Sequence, residues 1–426
     1  MVFVLTRAPR GTRDLLPGEI EKWQLVEKRV AEACRLFGYA EVRTPVFEHT
    51  ELFLRSVGET TDIVSKEMYT FRDRGDRSLT LRPENTAAVA RAVMEHKLYA
   101  EVQPVKLYYV GPMFRYDRPQ AGRYRQFHQF GVEVLGTGEP TADAEVMALA
   151  MFFFRTLGIS GLELRVNSVG CPECRGLYRE ALREKVKDRV DRLCRDCAGR
   201  FGKNPLRILD CKEEKCRELT EGLPVLADNL CGQCDGNFRS VLSAMDELGE
   251  AYVVDSRLVR GLDYYTNTAF EIVSPALGAQ SSICGGGRYD NLMEELGGPA
   301  IPATGFAVGM ERTVLAMEAA GAFAKTAGLM DVFVATAGEV KQEAALGIVM
   351  KLRQAGIAAD KDYMNRSLKA QFKYADKKGA RLIVILGEEE LKSGAVTVRD
   401  MAAGRQETVY VNDLAGHLAG LLKEEK

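Results

Sequence analysis

Histidine is scarce in this sequence, four in 426 residues, and tryptophan occurs once. So few imidazoles leave little material for a histidine-centred metal site or catalytic triad. The spacings GxxxxGK[ST], HExxH and GxSxG are absent, which excludes a Walker-type phosphate loop, a zincin helix and a nucleophile elbow. No uninterrupted apolar run reaches 18 residues, so no conventional membrane helix is expected. The opening stretch, Met1 to Arg7, lacks the charged n-region of a secretory leader, and a cytoplasmic protein is the expectation. Neither charge sign predominates: 58 Lys and Arg stand against 60 Asp and Glu, a net −2. The whole-chain balance therefore does not mark a nucleic-acid binder.

What is present fits a globular protein, 46% hydrophobic and 28% charged, and long enough for two or three domains. Residues 171–234 hold eight of the ten cysteines between stretches of strand and glycine-rich turn. This block reads as a Cys-rich, mainly helical insertion, 171–245, within a larger domain spanning 1–325. From Asp331 the pattern changes. Asp331–Thr336 and Arg381–Gly387 read as buried strands, and 340–355 as an amphipathic helix ending near Gly356. Strands alternating with helices predict a small α/β domain over 329–426 with a mainly parallel sheet. Within it, residues 361–381 carry seven Lys or Arg against two Asp. Alone, such a run is a solvated helical face.

The chemistry concentrates in five segments. Residues 105–134 read as an antiparallel hairpin with a long tip around Asp117–Gly122. Side chains alternate faces along a strand. Arg123, Arg125, Phe127, Gln129 and Glu133 thus share one face, a binding surface of cations, an aromatic plane, an amide and a carboxylate. Tyr124, His128, Phe130, Val132 and Val134 share the other, which reads as core. Guanidinium groups suit phosphate because their donors fork onto two oxygens. Thr80–Thr86 (TLRPENT) predicts a strand running into a helix that starts near Glu84 to Thr86. Glu84 there can receive an ammonium group or simply face the helix dipole. The remaining segments are Arg257–Thr266 (RLVRGLDYYT), Cys284–Asp290 (CGGGRYD) and Pro302–Arg312 (PATGFAVGMER). In the last, Met310, Val314 and Met317 keep helical spacing toward a core, and Arg312 lies off that stripe.

FRYDRPQAGRYRQFHQFGVE resembles motif 2 of class II aminoacyl-tRNA synthetases, GFAVGMER resembles motif 3, and Arg35 to Phe47 resembles the dimer-forming motif 1. PRGTRDLLP, LRPENTA and RGLDYYT are similar to histidyl-tRNA synthetases in particular. The resemblance implies an α+β catalytic domain on an antiparallel sheet (the class II synthetase fold), with motif 1 near 35–47, motif 2 near 105–134 and motif 3 near 302–317. It also implies a C-terminal α/β anticodon-binding domain, whose basic run would meet the polyanion, and a homodimer. The implied activity is ATP-dependent formation of histidyl-adenylate and transfer of histidine to tRNA(His), with Mg2+ accompanying ATP.

Roles follow by resemblance. Arg115 would bind the α-phosphate and the carboxylate, and Arg123 the γ-phosphate end. Phe127 and Arg312 would sandwich the adenine. Glu84, Thr86 and Gln129 would hold the α-amino group, and Glu133 and Tyr265, with Tyr264 nearby, would bracket the imidazole. Arg260 would be the distinctive catalytic cation, and Arg118 and Gln120 would meet the tRNA acceptor end. Asn85 stands where the family commonly has glycine, and is counted with the histidine pocket. A rival of a different class is a non-catalytic, histidine-binding regulatory paralogue, which should lack part of this arginine set.

The resemblance brings no obligatory metal. Spacing does suggest one: Cys171/Cys174, Cys194/Cys197, Cys211/Cys216 and Cys231/Cys234 form four pairs, enough for two tetrahedral structural zinc sites in a cytoplasmic chain. Zinc would brace the insertion without taking part in the chemistry.

Overall fold

A computed structural model describes residues 7–58, 61–209, 211, 213–223, 225–323 and 330–424. In it the strands Val105–Phe114 and Gln126–Leu135 pair antiparallel, from Val105 opposite Leu135 to Phe114 opposite Gln126. The tip lies where the turn-rich loop predicts it. Among the described residues these two belong to an eight-stranded sheet. Its order is Ala40–Glu41, Val105–Phe114, Gln126–Leu135, Ala303–Gly309, Ser282–Arg288, Thr266–Val273, Glu163–Ser168, Val253–Val254. Every central pairing is antiparallel, and only the two short outer strands join in parallel. This is the α+β architecture expected from the sequence.

Along Gln126–Leu135 the two faces of the sheet divide as the alternation requires. Ahead of the strand they do not: Tyr124, expected in the core, joins the surface that Arg123 lines, and Arg125 instead stacks over Tyr116 at 3.8 Å. Phe130, Val132 and Val134 are buried under helices. The helix Ile20–Leu36 contributes Trp23, Val26, Val30 and Ala33, spaced three or four apart, and Pro140–Thr156 contributes Phe153 and Phe154. Met310, Val314 and Met317 come from Met310–Ala319. Each such side chain contributes about 1.5–3 kcal/mol on burial, so this face anchors the strands that carry the opposite one. His128 joins the two signature segments: its backbone N–H donates to Glu311 at 2.9 Å, and its ring meets Trp23 edge-on at 5.0 Å.

A three-stranded antiparallel sheet, Phe47–His49, Ser78–Leu81 and Tyr69–Arg72, delivers the chain to the helix Thr86–Glu95. The cysteine-rich block leaves the large sheet after Glu163–Ser168 and returns at Val253–Val254, its parallel neighbour. Between them run mainly helices, Pro172–Val186, Arg195–Lys203, Glu214–Leu219 and Gly232–Glu247.

Contacts divide the chain into Met1–Ala324 and Lys325–Lys426. The second unit has a five-stranded sheet, ordered Ala359–Lys361, Val332–Thr336, Leu382–Leu386, Ala395–Asp400, Gln406–Tyr410. The helix Gln342–Gln354 ends at Gly356, which has φ +80°. The sheet is mixed and not mainly parallel: two pairings are parallel and two antiparallel. The connections explain this. Five residues, 401–405, join the last two strands, too few for the crossover of a dozen or more that a parallel pair needs.

Candidate active site

Glu84 caps the helix Thr86–Glu95 with its side chain, accepting from the backbone N–H of Thr86 at 2.7 Å and of Ala87 at 3.1 Å. It is also buried in the wall of a cavity of about 730 Å3 on the open face of the large sheet. The carboxylate is thus a helix-dipole partner that also lines the cavity. Burial raises its pKa, opposed by those two N–H donors.

Strand alternation then sets the next wall. Phe127, Gln129 and Glu133 project from Gln126–Leu135 into the cavity. Glu133 is 2% exposed. Thr86 Oγ1 donates to its Oε1 at 2.8 Å and the Tyr289 hydroxyl donates to Oε2. Burial pushes its pKa up to about 8, against the pull of the Tyr289 and Thr86 bonds. Gln129 Oε1 is buried with no hydrogen-bond partner from the protein. An unsatisfied buried acceptor is costly, so the cavity offers a place for a donor.

Opposite stand Tyr264 and Tyr265, ring centroids 4.7 Å apart, with Tyr289 edge-on to Tyr264 at 5.5 Å. Burial raises both tyrosine pKa values, which keeps the hydroxyls protonated. Arg260 donates from Nη1 to Glu271 at 3.2 Å and lies 5.9 Å from the Tyr265 ring. Its guanidinium rests on the strand Ser282–Arg288, where a Cβ at Gly285 would overlap it. Gly305 is constrained in the same way by the Glu133 carboxylate. These glycines let charged side chains lie flat on the sheet.

Besides Arg165, Arg217 and Arg257, three more guanidiniums line the cavity. Arg115 donates from Nε to Pro83 O at 2.8 Å and stacks over Phe127 at 5.2 Å. Arg123 pairs with Asp117. Arg312 donates to Ser282 O at 2.6 Å. Burial lowers the pKa of Arg312, and the charges of Arg123 and Arg115 lower it further. Guanidinium stays protonated nonetheless, so like charges share one cavity and favour an anion there.

Eleven expected site residues thus meet around one cavity: Glu84, Thr86, Arg115, Arg123, Phe127, Gln129, Glu133, Arg260, Tyr264, Tyr265 and Arg312. Three do not line it. Asn85 points beneath the floor, where its Oδ1 accepts from Thr44 at 2.7 Å and from Arg82 at 3.1 Å. Helix capping by Glu84 turns the intervening residue to the other side. Arg118 and Gln120 sit exposed on the hairpin tip, which Gln120 and Arg123 close with paired backbone bonds of 3.0 and 2.9 Å. The cation stacked over Phe127 itself is Arg115. Tyr289 and Tyr109, which also line the cavity, were missed. The CGGGRYD segment signalled the first, but nothing local in sequence pairs it with Glu133.

A family profile described as Histidyl-tRNA synthetase matches residues 11–313, and one described as Anticodon binding domain matches 331–421. This chain belongs to the histidyl-tRNA synthetase family. It is 58% identical over 412 residues to the histidine–tRNA ligase of Desulforamulus reducens, covering 96% of this chain and 98% of that one. Identity to the histidine–tRNA ligase of Pelotomaculum thermopropionicum is 57%, over 97% of this chain and 98% of the relative. The crystal structure of apo Staphylococcus aureus histidyl-tRNA synthetase superposes with a TM-score of 0.82 at 40% identity, covering 97% of this chain and all of that one. A Bacillus halodurans ATP phosphoribosyltransferase regulatory subunit/histidyl-tRNA synthetase shares the fold, at 22% identity and a TM-score of 0.61.

Proposed function

We infer that this member of the synthetase family is a histidine–tRNA ligase, forming histidyl-adenylate from L-histidine and ATP and then esterifying tRNA(His) at its 3′ end. The observation that carries the reading is one cavity with two chemistries. A tyrosine-rimmed, buried carboxylate lies at one end and clustered guanidiniums at the other.

The chemistry needs no enzyme nucleophile. The histidine carboxylate attacks the α-phosphorus of ATP and pyrophosphate leaves, so the site must hold two anions in line and offset charge as it develops. Arg115 and Arg260 are assigned to the reacting carboxylate and α-phosphate, Arg123 to the far phosphates, and Phe127 with Arg312 to the adenine. Arg115 stacks over Phe127, which sets a cation beside the ring assigned to adenine and close to the phosphates. Mg2+ arrives with ATP.

The amino acid is read by groups of opposite demand. Imidazole donates from one nitrogen and accepts at the other. Glu133 meets the donor, and an imidazole N–H aimed at it favours its ionised form. Tyr264 or Tyr265 can donate to the acceptor. Glu84, Thr86 and the unsatisfied Gln129 Oε1 suit the α-ammonium. An analogue without the ring N–H leaves the buried Glu133 with only its Thr86 and Tyr289 donors, and a lost hydrogen bond to a buried polar group is what makes rejection strong.

Beyond this cavity, we assign Arg118 and Gln120 to the tRNA acceptor end, on the strength of their exposure at the hairpin tip. The second unit is assigned to the anticodon. A homodimer is supported by Phe47 and Phe71, both exposed on one face of the three-stranded sheet beside the motif 1 segment. Among the described residues no helix is long and apolar enough to cross a membrane, and we place the protein in the cytoplasm.

The regulatory-paralogue reading is disfavoured because Arg115, Arg123, Arg260 and Arg312 all reach the cavity. The deciding experiment is amino-acid-dependent exchange of pyrophosphate into ATP, across all twenty amino acids. Exchange with histidine alone is expected. Histidine binding without exchange, in folded protein, returns the paralogue.

A further inference from the structure

We propose that the insertion holds two structural zinc ions, each on four cysteines, and that the second of them positions the segment carrying Arg260. The chain pairs the cysteines across long sequence gaps. Cys171, Cys174, Cys231 and Cys234 form one group, and Cys194, Cys197, Cys211 and Cys216 the other; within each group every Sγ lies within 4.8 Å of the rest. Tetrahedral Zn2+ with bonds of about 2.3 Å sets sulfur atoms about 3.8 Å apart. Cys171 and Cys174 are 3.6 Å apart and Cys194 and Cys211 3.9 Å. No disulfide joins any of them. The four thiolates of an iron–sulfur cluster are spread over two or four irons and cannot all stand within 4.8 Å of one another, so the packing fits a single ion.

The surroundings are built for thiolate. Backbone N–H groups aim at sulfur: Cys231 at Cys174 (3.1 Å), Cys194 at Cys216 (3.2 Å) and Cys197 at Cys194 (3.5 Å). Such donors hold first ligands in orientation and stabilise their charge. Three of the pairs also open helices, at Pro172–Val186, Arg195–Lys203 and Gly232–Glu247. The two groups thus tie together elements that no continuous secondary structure connects.

The second group reaches the cavity. Cys211 and its neighbour Leu209 line it. From the same part of the insertion, Arg207 donates to Gly261 O at 3.1 Å and Asn204 to Asp263 at 3.0 Å. Returning bonds run from Arg257 to Thr220 at 2.8 Å and to Leu209 O at 3.5 Å. Residues 257–265, which carry Arg260, Tyr264 and Tyr265, therefore rest on a surface shaped by that cysteine group. Metal binding there is folding energy for the segment. The positioning half of the proposal rests on the ligase reading; the metal half does not.

The test begins with elemental analysis of the full-length protein, purified without added metal. Two zinc ions per chain are expected, each released with four thiols on titration by an organomercurial. A single ion, none after reduction and incubation with zinc, or iron in its place would overturn the metal assignment. The double variant C197S/C216S should then hold one zinc. Its kcat/KM for histidine in pyrophosphate exchange should fall at least tenfold while KM for ATP stays put, because Arg115, Arg123 and Phe127 come from elsewhere. The first group also touches this segment, since Arg175, next to Cys174, donates to Asp263 O at 3.3 Å and to Tyr265 O at 2.9 Å. C174S/C234S should therefore lose less than C197S/C216S, and an equal or larger loss would overturn the assignment of Arg260's position to the second group. Loss of zinc with unchanged kinetics, or an equal rise in both KM values, would overturn the positioning role. Where the variants do not fold, stepwise zinc removal from the wild type gives the same comparison. A wild type that binds two zinc ions but exchanges nothing would sink the ligase reading and leave the metal sites standing.

Discussion

Glu133 is held by Thr86 and Tyr289 in a site where water cannot solvate its charge, and its carboxyl pKa rises from 4.5 to about 8. That shift has a sign for stability. Between pH 4.5 and about 8 the folded chain keeps a proton that the unfolded chain has lost, so this group's contribution falls as pH rises and levels off above 8. Glu133→Gln removes the titration. Its melting temperature relative to wild type should therefore climb from pH 5 to 8 and then stay constant; a difference independent of pH refutes the shifted carboxyl. The same variant keeps a hydrogen-bonding group but loses the anion, so KM for histidine should rise at least about tenfold. Arg260 behaves differently because its partner charge grows during the reaction. Arg260→Ala should lower kcat of exchange about 100- to 1,000-fold, with a much smaller change in histidine affinity by calorimetry. Equal losses in affinity and rate would show a binding role only.

Elements deliver these residues through spacing that sequence reveals in part. Alternation along Gln126–Leu135 separates Phe127, Gln129 and Glu133 from Phe130, Val132 and Val134, and one buried helical face makes the assignment unambiguous. What crosses between elements is not legible in that way. Asn85 adjoins two cavity residues yet bonds Thr44 and Arg82, because the turn into Thr86–Glu95 reverses its direction. Tyr289 meets Glu133 only once Ser282–Arg288 and Gln126–Leu135 flank Ala303–Gly309. The cysteine pairs were countable, but which pairs share a site depends on how the insertion folds back. Gly285 offers a test at this scale. The three atoms nearest an added Cβ all belong to the guanidinium of Arg260, the far end of a long side chain. Gly285→Ala should fold with a melting temperature near wild type and lose about 10- to 100-fold in exchange kcat, following the loss of Arg260 geometry. Full activity in that variant would mean Arg260 need not lie on the strand.

At the scale of the whole chain, adenylation and tRNA selection are assigned to different units, and the basic run shows how they separate. Three of its cations hold hydrogen bonds or ion pairs within the second unit: Lys361 is buried and donates to Asp362 O at 3.0 Å, Arg366 pairs with Asp362 at 2.6 Å, and Arg381 donates to Leu422 O at 3.3 Å. The helix Leu368–Lys377 then exposes Lys369, Lys373 and Lys377, four residues apart and so along one side, near the exposed Tyr363 and Met364. Cations for phosphate with flat apolar groups for bases are what a single-stranded RNA loop requires. Replacing all three lysines with alanine should raise KM for tRNA(His) about tenfold at moderate salt and flatten the salt dependence of binding by about one unit of slope per lost phosphate contact. Histidine-dependent pyrophosphate exchange without tRNA should be unchanged, since those lysines belong to the other unit. If the salt slope stays the same, the stripe is solvated surface and the tRNA lies elsewhere on the chain; if exchange falls as well, the two activities are not separable by unit.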